Sequence, residues 1–402
     1  MTKRAVAVTV LVVSTLLVAG WPPASAATAR PRLPAPTGPH PVGMVELHLV
    51  DHTRADPWQA DQPTRELMVS VYYPARPAGR SAPYMLDAAA AHFDSVDVND
   101  YLGLGVPVGT VDWAASRTHA RLAAPADTRR GARPILIYSP GLGEPRTWWT
   151  AMVTELASRG YVVVTIDNTY ESPEVQFPNG PLRVATLPGS FEEFIPFVHK
   201  ALAERAVDTS FVVDQLGVIA AGGNPDADRQ PLPTGLARAL DPSRIGMFGH
   251  SLGGSAAAAA MYADRRIGAG VNFDGNMDFP DGGLQDAAAH GLDRPFLLIG
   301  KDGTTDTGPG WRAFLANTPG WARELRLRES GHASATDAEV LLPQLGLPEA
   351  TLTDSIGTIP PRQALRHQAG YLAAFFDRFL LDRDNHLLDG PSPAYPWMEF
   401  VG

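Results

Sequence analysis

The sequence predicts an α/β protein in which a mostly parallel central sheet carries helices on both faces. Short, nearly continuous aliphatic runs, such as 134–139 and 161–166, alternate along the chain with stretches that have the apolar period of helices. Runs that are apolar at every position suit strands buried on both faces, as in a parallel sheet. The 402 residues contain no internal repeat and no dividing linker, so one domain is expected over 42–402.

Individual elements follow in order along the chain. Two strands are expected at 45–50 and 66–74, and the second must stop at its proline. Loops and short helices, inserted before the main sheet, are expected at 75–130. The later elements are a strand at 134–139, a helix at 148–159, a strand at 161–166, a helix at about 191–221, strands at 244–248, 268–273, 295–299 and 324–328, and a helix at 363–381.

The start of the chain has the features of a secretory signal peptide, expected at 1–26. Two basic residues precede an apolar stretch, 5–20, and small residues end the segment at Ala26, where signal peptidase is expected to cut. Residues 27–41 are rich in proline and alanine and are expected to form a flexible lead-in. The sequence therefore predicts a secreted protein.

Composition excludes several classes of function. The formal net charge is −10, and it becomes −12 without residues 1–26, which argues against nucleic acid as a partner. The chain contains no cysteine, so disulfides, a cysteine nucleophile and thiolate metal ligands are excluded. We expect neither a metal nor a cofactor.

The most informative motif is Gly249-His250-Ser251-Leu252-Gly253, where a predicted strand gives way to an alanine-rich helix. At such a junction the serine occupies a sharp turn with its hydroxyl exposed, and only small residues can flank it. This arrangement is typical of the nucleophile elbow of the α/β-hydrolase fold. Ser251 is the predicted nucleophile.

A serine hydroxyl needs an imidazole base, and in this fold the histidine follows the serine along the chain. His332 is the predicted base because it lies in a loop of small residues directly after a predicted strand. Packing or solvation, rather than catalysis, is expected for the other histidines that follow Ser251, which are His290, His367 and His386.

Two aspartates compete for the role of the acid that orients the imidazole. Asp274 follows the strand at 268–273, and Asp302 follows the strand at 295–299. Either can serve, because only the hydrogen bond to the imidazole matters. The aspartate that is not the acid is expected to be a turn carboxylate.

The oxyanion hole requires backbone N–H groups aimed at the charge that develops on the substrate. One donor is expected from Leu252, the residue after the nucleophile. The other is expected from Leu142, in the glycine-containing loop 140–143 after a predicted strand.

These features resemble the platelet-activating factor acetylhydrolase family, which comprises plasma-type and intracellular type II enzymes and bacterial secreted relatives. The likeness spans about residues 40 to 380. Its motifs are, in order, Gly141-Leu142-Gly143, Arg146-Thr147, Leu156-Ala157-Ser158, Gly160-Tyr161, Gly249-His250-Ser251 and Asp274. The resemblance implies Asp274 rather than Asp302 as the acid. It also implies Ser251 as nucleophile, His332 as base, and the amides of Leu142 and Leu252 as oxyanion donors.

The resemblance further implies a serine esterase of the 1-alkyl-2-acetylglycerophosphocholine esterase type, which needs no metal and releases short or oxidised acyl groups. The expected partner is a small-molecule ester or phospholipid, with transient contact to a lipid surface. Pro140 and Leu252 differ from the histidine and phenylalanine of the plasma-type enzyme, and both line the expected acyl pocket. The alternatives are a broader carboxylesterase, a lipase or polyester hydrolase, an amidase, and a binding protein without catalysis.

Overall fold

The computed structural model describes residues 28–178, 180–302 and 308–401, so the predicted signal peptide lies outside the described residues. The strands of the described part are β1 (Val42–Asp51), β2 (Arg65–Pro74), β3 (Ser81–Pro83), β4 (Arg117–Leu122), β5 (Arg133–Ser139), β6 (Val162–Asn168), β7 (Glu174–Gln176), β8 (Leu182–Val184), β9 (Leu240–His250), β10 (Ile267–Phe273), β11 (Phe296–Gly300), β12 (Ala322–Leu327) and β13 (Met398–Val401).

One sheet of eleven strands dominates the described part of the molecule. Its order is β13-β12-β11-β10-β9-β5-β6-β2-β1-β4-β3, and β7 pairs with β8 in a separate hairpin. The six central strands from β12 to β6 are parallel to their neighbours. Antiparallel pairs extend the sheet on both sides, β12 with β13 and β6 with β2. The predicted mostly parallel sheet is therefore confirmed.

Helices of the described residues occupy the connections between strands. They are α1 (Asp87–Phe93), α2 (Val96–Leu102), α3 (Thr150–Arg159), α4 (Phe191–Ala220), α5 (Leu236–Ala239), α6 (Leu252–Ala263), α7 (Asp286–His290), α8 (Pro309–Asn317), α9 (Ala338–Leu341), α10 (Glu349–Ile356) and α11 (Pro361–Leu381), with 3₁₀ turns at His332–Ala335 and Leu342–Gln344. None of the helices in the described ranges has the length and apolar character needed to cross a membrane.

Two apolar cores, one on each face of the sheet, hold the helices in place. Val212 of α4 and Met261 of α6 belong to the first core, and Leu156 of α3 and Phe375 of α11 belong to the second. The predicted alternation of aliphatic strands and amphipathic helices produces these two layers. The insertion expected at 75–130 contains β3, α1, α2 and β4.

The described part of the predicted lead-in, 28–41, packs on the domain, so the expectation of a flexible segment at 27–41 is corrected there. Leu33 is buried in an apolar cluster. The backbone N–H of Thr37 donates to a Glu155 carboxylate oxygen at 2.6 Å, and that of His40 donates to the Ser158 carbonyl at 3.0 Å. The proline-rich composition indicated flexibility. It could not show that side chains and carbonyls of α3 accept hydrogen bonds from the backbone of this segment.

Candidate active site

The junction between β9 and α6 forms a tight turn at Ser251. Ser251 has φ 53° and ψ −125°, a backbone conformation that non-glycine residues rarely adopt. A β-carbon at Gly249 would lie 2.2 Å from the Gly253 carbonyl oxygen, and one at Gly253 would lie 2.0 Å from the Ser139 carbonyl oxygen. The turn therefore requires glycine at both positions, as the motif indicated.

The end of β10 forms the next part of the site. The Ser251 N–H donates to the Phe273 carbonyl at 2.8 Å, and the Asp274 N–H donates to the Ile299 carbonyl at 2.9 Å. The side chain of Asn272 bonds both the N–H and the carbonyl of Gly275, each at 2.8 Å. These bonds fix the turn on which Asp274 lies, beside the serine.

His332 meets Asp274 rather than Asp302. His332 follows β12 in a 3₁₀ turn, and its Nδ1 lies 2.5 Å from Asp274 Oδ2. The other Asp274 oxygen accepts the Lys301 N–H at 3.2 Å. Asp302 instead accepts the backbone N–H of Glu329 at 2.5 Å, a contact between residues 27 positions apart in the chain. With Nδ1 facing a carboxylate, the tautomer that donates there leaves Nε2 able to accept a proton.

One cavity of about 270 Å³ joins the predicted residues. Ser251, Asp274 and His332 line it, together with the two predicted oxyanion residues Leu142 and Leu252. Further walls come from Phe194 and Val198 of α4 and from the segment after Asp274, which contributes Asn276, Asp278 and Gln285. All five residues predicted for the site thus line the same cavity.

The other histidines that follow Ser251 lie in different surroundings. His367 Nδ1 lies 2.7 Å from the Gln363 carbonyl oxygen within α11. His386 is exposed and pairs with Asp389 at 2.9 Å. His290 lies near the Tyr262 ring at the end of α7, with the ring centres 6.0 Å apart. None of them lines the cavity of Ser251.

A buried arginine, Arg205 of α4, holds the loop that carries Leu142. Its guanidinium donates to the Pro140 carbonyl, to the Gly141 carbonyl at 3.3 Å and to the Ser139 hydroxyl at 3.1 Å. The buried carboxylate of Glu171 balances the charge and accepts from Arg205 Nε at 2.5 Å. The loop carbonyls turn toward Arg205. These bonds hold the loop in the conformation that places Leu142 on the cavity wall.

A second buried pair, His250 and Glu144, links the same loop to the turn of His332. His250 Nδ1 lies 2.9 Å from one Glu144 oxygen, and the other Glu144 oxygen accepts the Gly141 N–H at 2.7 Å. His250 Nε2 lies 2.8 Å from the His332 carbonyl oxygen, which can only accept, so Nε2 carries a proton. His250 therefore ties the turn of His332 to the loop of Leu142.

The electrostatics of this pair favour a charged imidazole. Burial alone would lower the pKa of His250, but the adjacent Glu144 carboxylate outweighs burial and raises it above its usual value. Sequence reasoning missed Glu144, His250 and Arg205 as parts of the site. The available signals were a histidine inside the elbow motif and an acidic residue directly after the glycines of the 140–143 loop.

Comparison with known proteins finds esterases among the similar sequences and structures. A family model described as platelet-activating factor acetylhydrolase, isoform II, matches residues 25–177. A probable 1-alkyl-2-acetylglycerophosphocholine esterase of Arthroderma benhamiae is 29% identical over 399 residues, which cover 92% of this chain and 93% of that protein. These matches support the predicted resemblance to the platelet-activating factor acetylhydrolase family. The platelet-activating factor acetylhydrolase of Bos taurus is 28% identical over 192 residues, covering 44% of this chain and 42% of that protein.

A solved structure extends the likeness to a related enzyme. The ferulic acid esterase from Streptomyces cinnamoneus has a TM-score of 0.74 and 33% sequence identity, covering 93% of this chain and 100% of that chain. The shared architecture is the α/β-hydrolase fold, as the elbow motif indicated. The chain is a carboxylic ester hydrolase.

We predict that Glu144→Gln lowers kcat for ester hydrolysis about 10- to 100-fold with little change in KM. The substitution removes the charge that holds His250 between the loop of Leu142 and the turn of His332. Glu155→Gln is the matched control, because Glu155 is also buried and accepts a backbone N–H, but that N–H belongs to Thr37 rather than to the loop of Leu142. Steady-state kinetics on p-nitrophenyl acetate measure both variants. Equal rates for the two variants would contradict a positioning role for Glu144.

Proposed function

We propose that this ester hydrolase acts by nucleophilic catalysis at Ser251, with His332 as base and Asp274 as the acid. We further propose that it cleaves esters of short or oxidised acyl groups, phospholipids among them. The observation that carries the proposal is the 2.5 Å contact between His332 and Asp274 in the cavity that also contains Ser251.

The proposed reaction has two stages. His332 Nε2 takes the proton of the Ser251 hydroxyl as its oxygen attacks the ester carbonyl, and the backbone amides of Leu142 and Leu252 stabilise the oxyanion. The imidazolium then protonates the leaving alcohol, which departs and leaves an acyl-enzyme. Water attacks the acyl-enzyme with His332 again as base, and the free acid is released. Asp274 stabilises the imidazolium in both stages.

The size and lining of the cavity support a short acyl group. A volume of about 270 Å³ lies just below the range of roughly 300–1,000 Å³ for ligand pockets. Leu142, Leu252, Phe194 and Val198 provide an apolar wall beside the serine. Polar side chains complete the cavity, and they suit an oxidised acyl group or a polar alcohol: Asn276, Asp278 and Gln285.

A second candidate function is hydrolysis of aromatic hydroxycinnamoyl esters. It rests on the 33% identity to the Streptomyces ferulic acid esterase over 93% of this chain. An aromatic acyl group would use the same apolar wall, and its ring hydroxyl would need one of the polar side chains of the cavity. The nucleophile and the base would be the same in both functions.

We also propose that the protein is secreted after cleavage near Ala26. The basic start, the apolar stretch at 5–20 and the small residues that end at Ala26 support this proposal. Amino-terminal sequencing of the protein recovered from the culture medium tests it, and a start at Ala27 is expected. Recovery of the whole chain only from cell membranes would contradict it.

We predict that Asp274→Asn lowers kcat/KM about 10²- to 10⁴-fold, because the imidazole loses the partner that fixes its tautomer and stabilises its charge. Asp302→Asn is the matched control, since Asp302 also follows a strand but bonds the Glu329 N–H. We expect it to change the rate by less than about 10-fold. Kinetics on one p-nitrophenyl ester compare the two variants, and a larger loss for Asp302→Asn would overturn the assignment of the acid.

We predict that hydrolysis rates fall as the acyl chain of p-nitrophenyl esters lengthens from acetate to palmitate, because the cavity near Ser251 is small. The comparison includes methyl ferulate and a 2-acetyl glycerophospholipid, and Ser251→Ala provides the background rate. A maximum at long chains would contradict the short-acyl proposal. A preference for methyl ferulate over the acetyl phospholipid would instead select the second candidate.

A further inference from the structure

A second cavity, of about 140 Å³, is lined by an unusual concentration of positive charge. Five arginines line it, and Asp377 is the only carboxylate among its lining residues within the described ranges. We call this cavity the arginine pocket. Its arginines are Arg130, Arg133, Arg159, Arg244 and Arg383. Such a cluster is unexpected in a chain with a formal net charge of −10, because like charges repel one another across a small cavity.

The arginine pocket lies at the opposite end of the sheet from the proposed catalytic residues. Arg133 begins β5, which ends at the loop of Leu142. Arg244 lies on β9, seven residues before Ser251. At about 3.3 Å per residue of strand, this spacing corresponds to about 23 Å. The two cavities therefore differ in position and in charge.

Two of the five arginines have carboxylate partners on their own elements. Arg159 at the end of α3 bonds Glu155 at 2.7 Å, and Arg244 bonds Asp241 at 2.6 Å. These two pairs largely neutralise the charge at one edge of the pocket. Within the part of the chain that the structure describes, their carboxylates form no ion pair with the remaining three arginines.

The remaining three arginines form no salt bridge with any side chain in the described ranges. Arg130 and Arg383 are exposed, whereas Nε and Nη2 of Arg133 are buried and find no acceptor among the described residues. The nearby carboxylates are already engaged. Asp127 pairs with Arg129 at 2.8 Å, and Asp377 accepts the Tyr161 hydroxyl at 2.6 Å.

The unsatisfied donors of Arg133 are costly and cannot be removed by deprotonation, because a guanidinium keeps its charge in proteins. Burial lowers the pKa of Arg133; the charge of Asp127 opposes this in part, and the positive charges of Arg130 and Arg383 add to it. The carboxyl end of α3 faces this region and offsets part of the positive charge through its partial negative charge. It supplies no acceptor to the two buried nitrogens.

We propose that the arginine pocket binds a phosphate group, either as a free phosphate or as a phosphate monoester on a larger molecule. Guanidinium groups match the geometry of phosphate oxygens through paired N–H donors. A phosphate dianion has several acceptor oxygens and can therefore accept hydrogen bonds from more than one arginine at a time. A carboxylate has only two oxygens and is less suited to this. The site is separate from ester hydrolysis and does not depend on the function proposed above.

Isothermal titration of the purified protein with inorganic phosphate, at constant ionic strength set by chloride, tests the proposal. We expect saturable binding to one site. Arg130→Gln/Arg383→Gln should weaken it at least about 10-fold, because two charge-assisted contacts are lost. Arg80→Gln/Arg362→Gln is the matched control, because it removes two exposed arginines outside the pocket and changes the net charge equally. This control should bind phosphate as the wild type does.

Three results would overturn the proposal: no saturable binding, equal weakening in both double variants, or unchanged binding in Arg130→Gln/Arg383→Gln. Hydrolysis of p-nitrophenyl acetate, expected to be unchanged in both, checks that the variants fold. If the pocket double variant does not fold, the exposed single substitution Arg383→Gln replaces it in the same titration.

The source of the phosphate is distinguished with vesicles. Phosphatidylcholine vesicles with and without phosphatidic acid are compared in sedimentation assays with the same variants. Binding that requires phosphatidic acid and is lost in the pocket variant supports a lipid headgroup. Binding of inorganic phosphate without vesicle binding supports a soluble ligand.

Discussion

The parallel register of β9, β10 and β11 at their carboxyl ends is the constraint on which the rest of the site depends. Backbone bonds join these ends directly, from Ser251 N–H to the Phe273 carbonyl and from Asp274 N–H to the Ile299 carbonyl. The separation between the serine and the aspartate is therefore set by the sheet rather than by flexible side chains. Carboxyl ends of parallel strands meet at one edge, which is why a chemical site can be built there from residues far apart in sequence.

Buried charges then hold the loops in place around that edge. Arg205 with Glu171, and His250 with Glu144, sit beneath the cavity rather than in it. Burying such pairs gives little net stability compared with apolar packing, but removing one partner leaves a costly unpaired charge. We infer that they fix the geometry of the loop of Leu142 and of the His332 turn. Positioned donors of this kind contribute to catalysis because they need not reorganise as charge develops.

The sequence predicted the parts of the molecule that are encoded locally. The aliphatic strands, the amphipathic helices and the elbow at Ser251 are each readable within a dozen neighbouring residues. The residues alone left open the choice between Asp274 and Asp302, because both follow strands and only the folded sheet determines which one His332 meets. The contact between Glu144 and His250 was missed because the two residues are 106 positions apart in the chain. No local sequence pattern shows that two residues so far apart pack together in the interior.

The role proposed for Ser251 as the nucleophile can be tested without knowing the natural substrate. A fluorophosphonate phosphonylates an activated serine, so the purified protein is labelled with this reagent, and the digested chain is analysed by mass spectrometry. We predict one adduct, on the peptide that contains Ser251, with matching loss of esterase activity. Loss of activity with an adduct on another residue, or full labelling of Ser251→Ala, would show that another residue is the nucleophile.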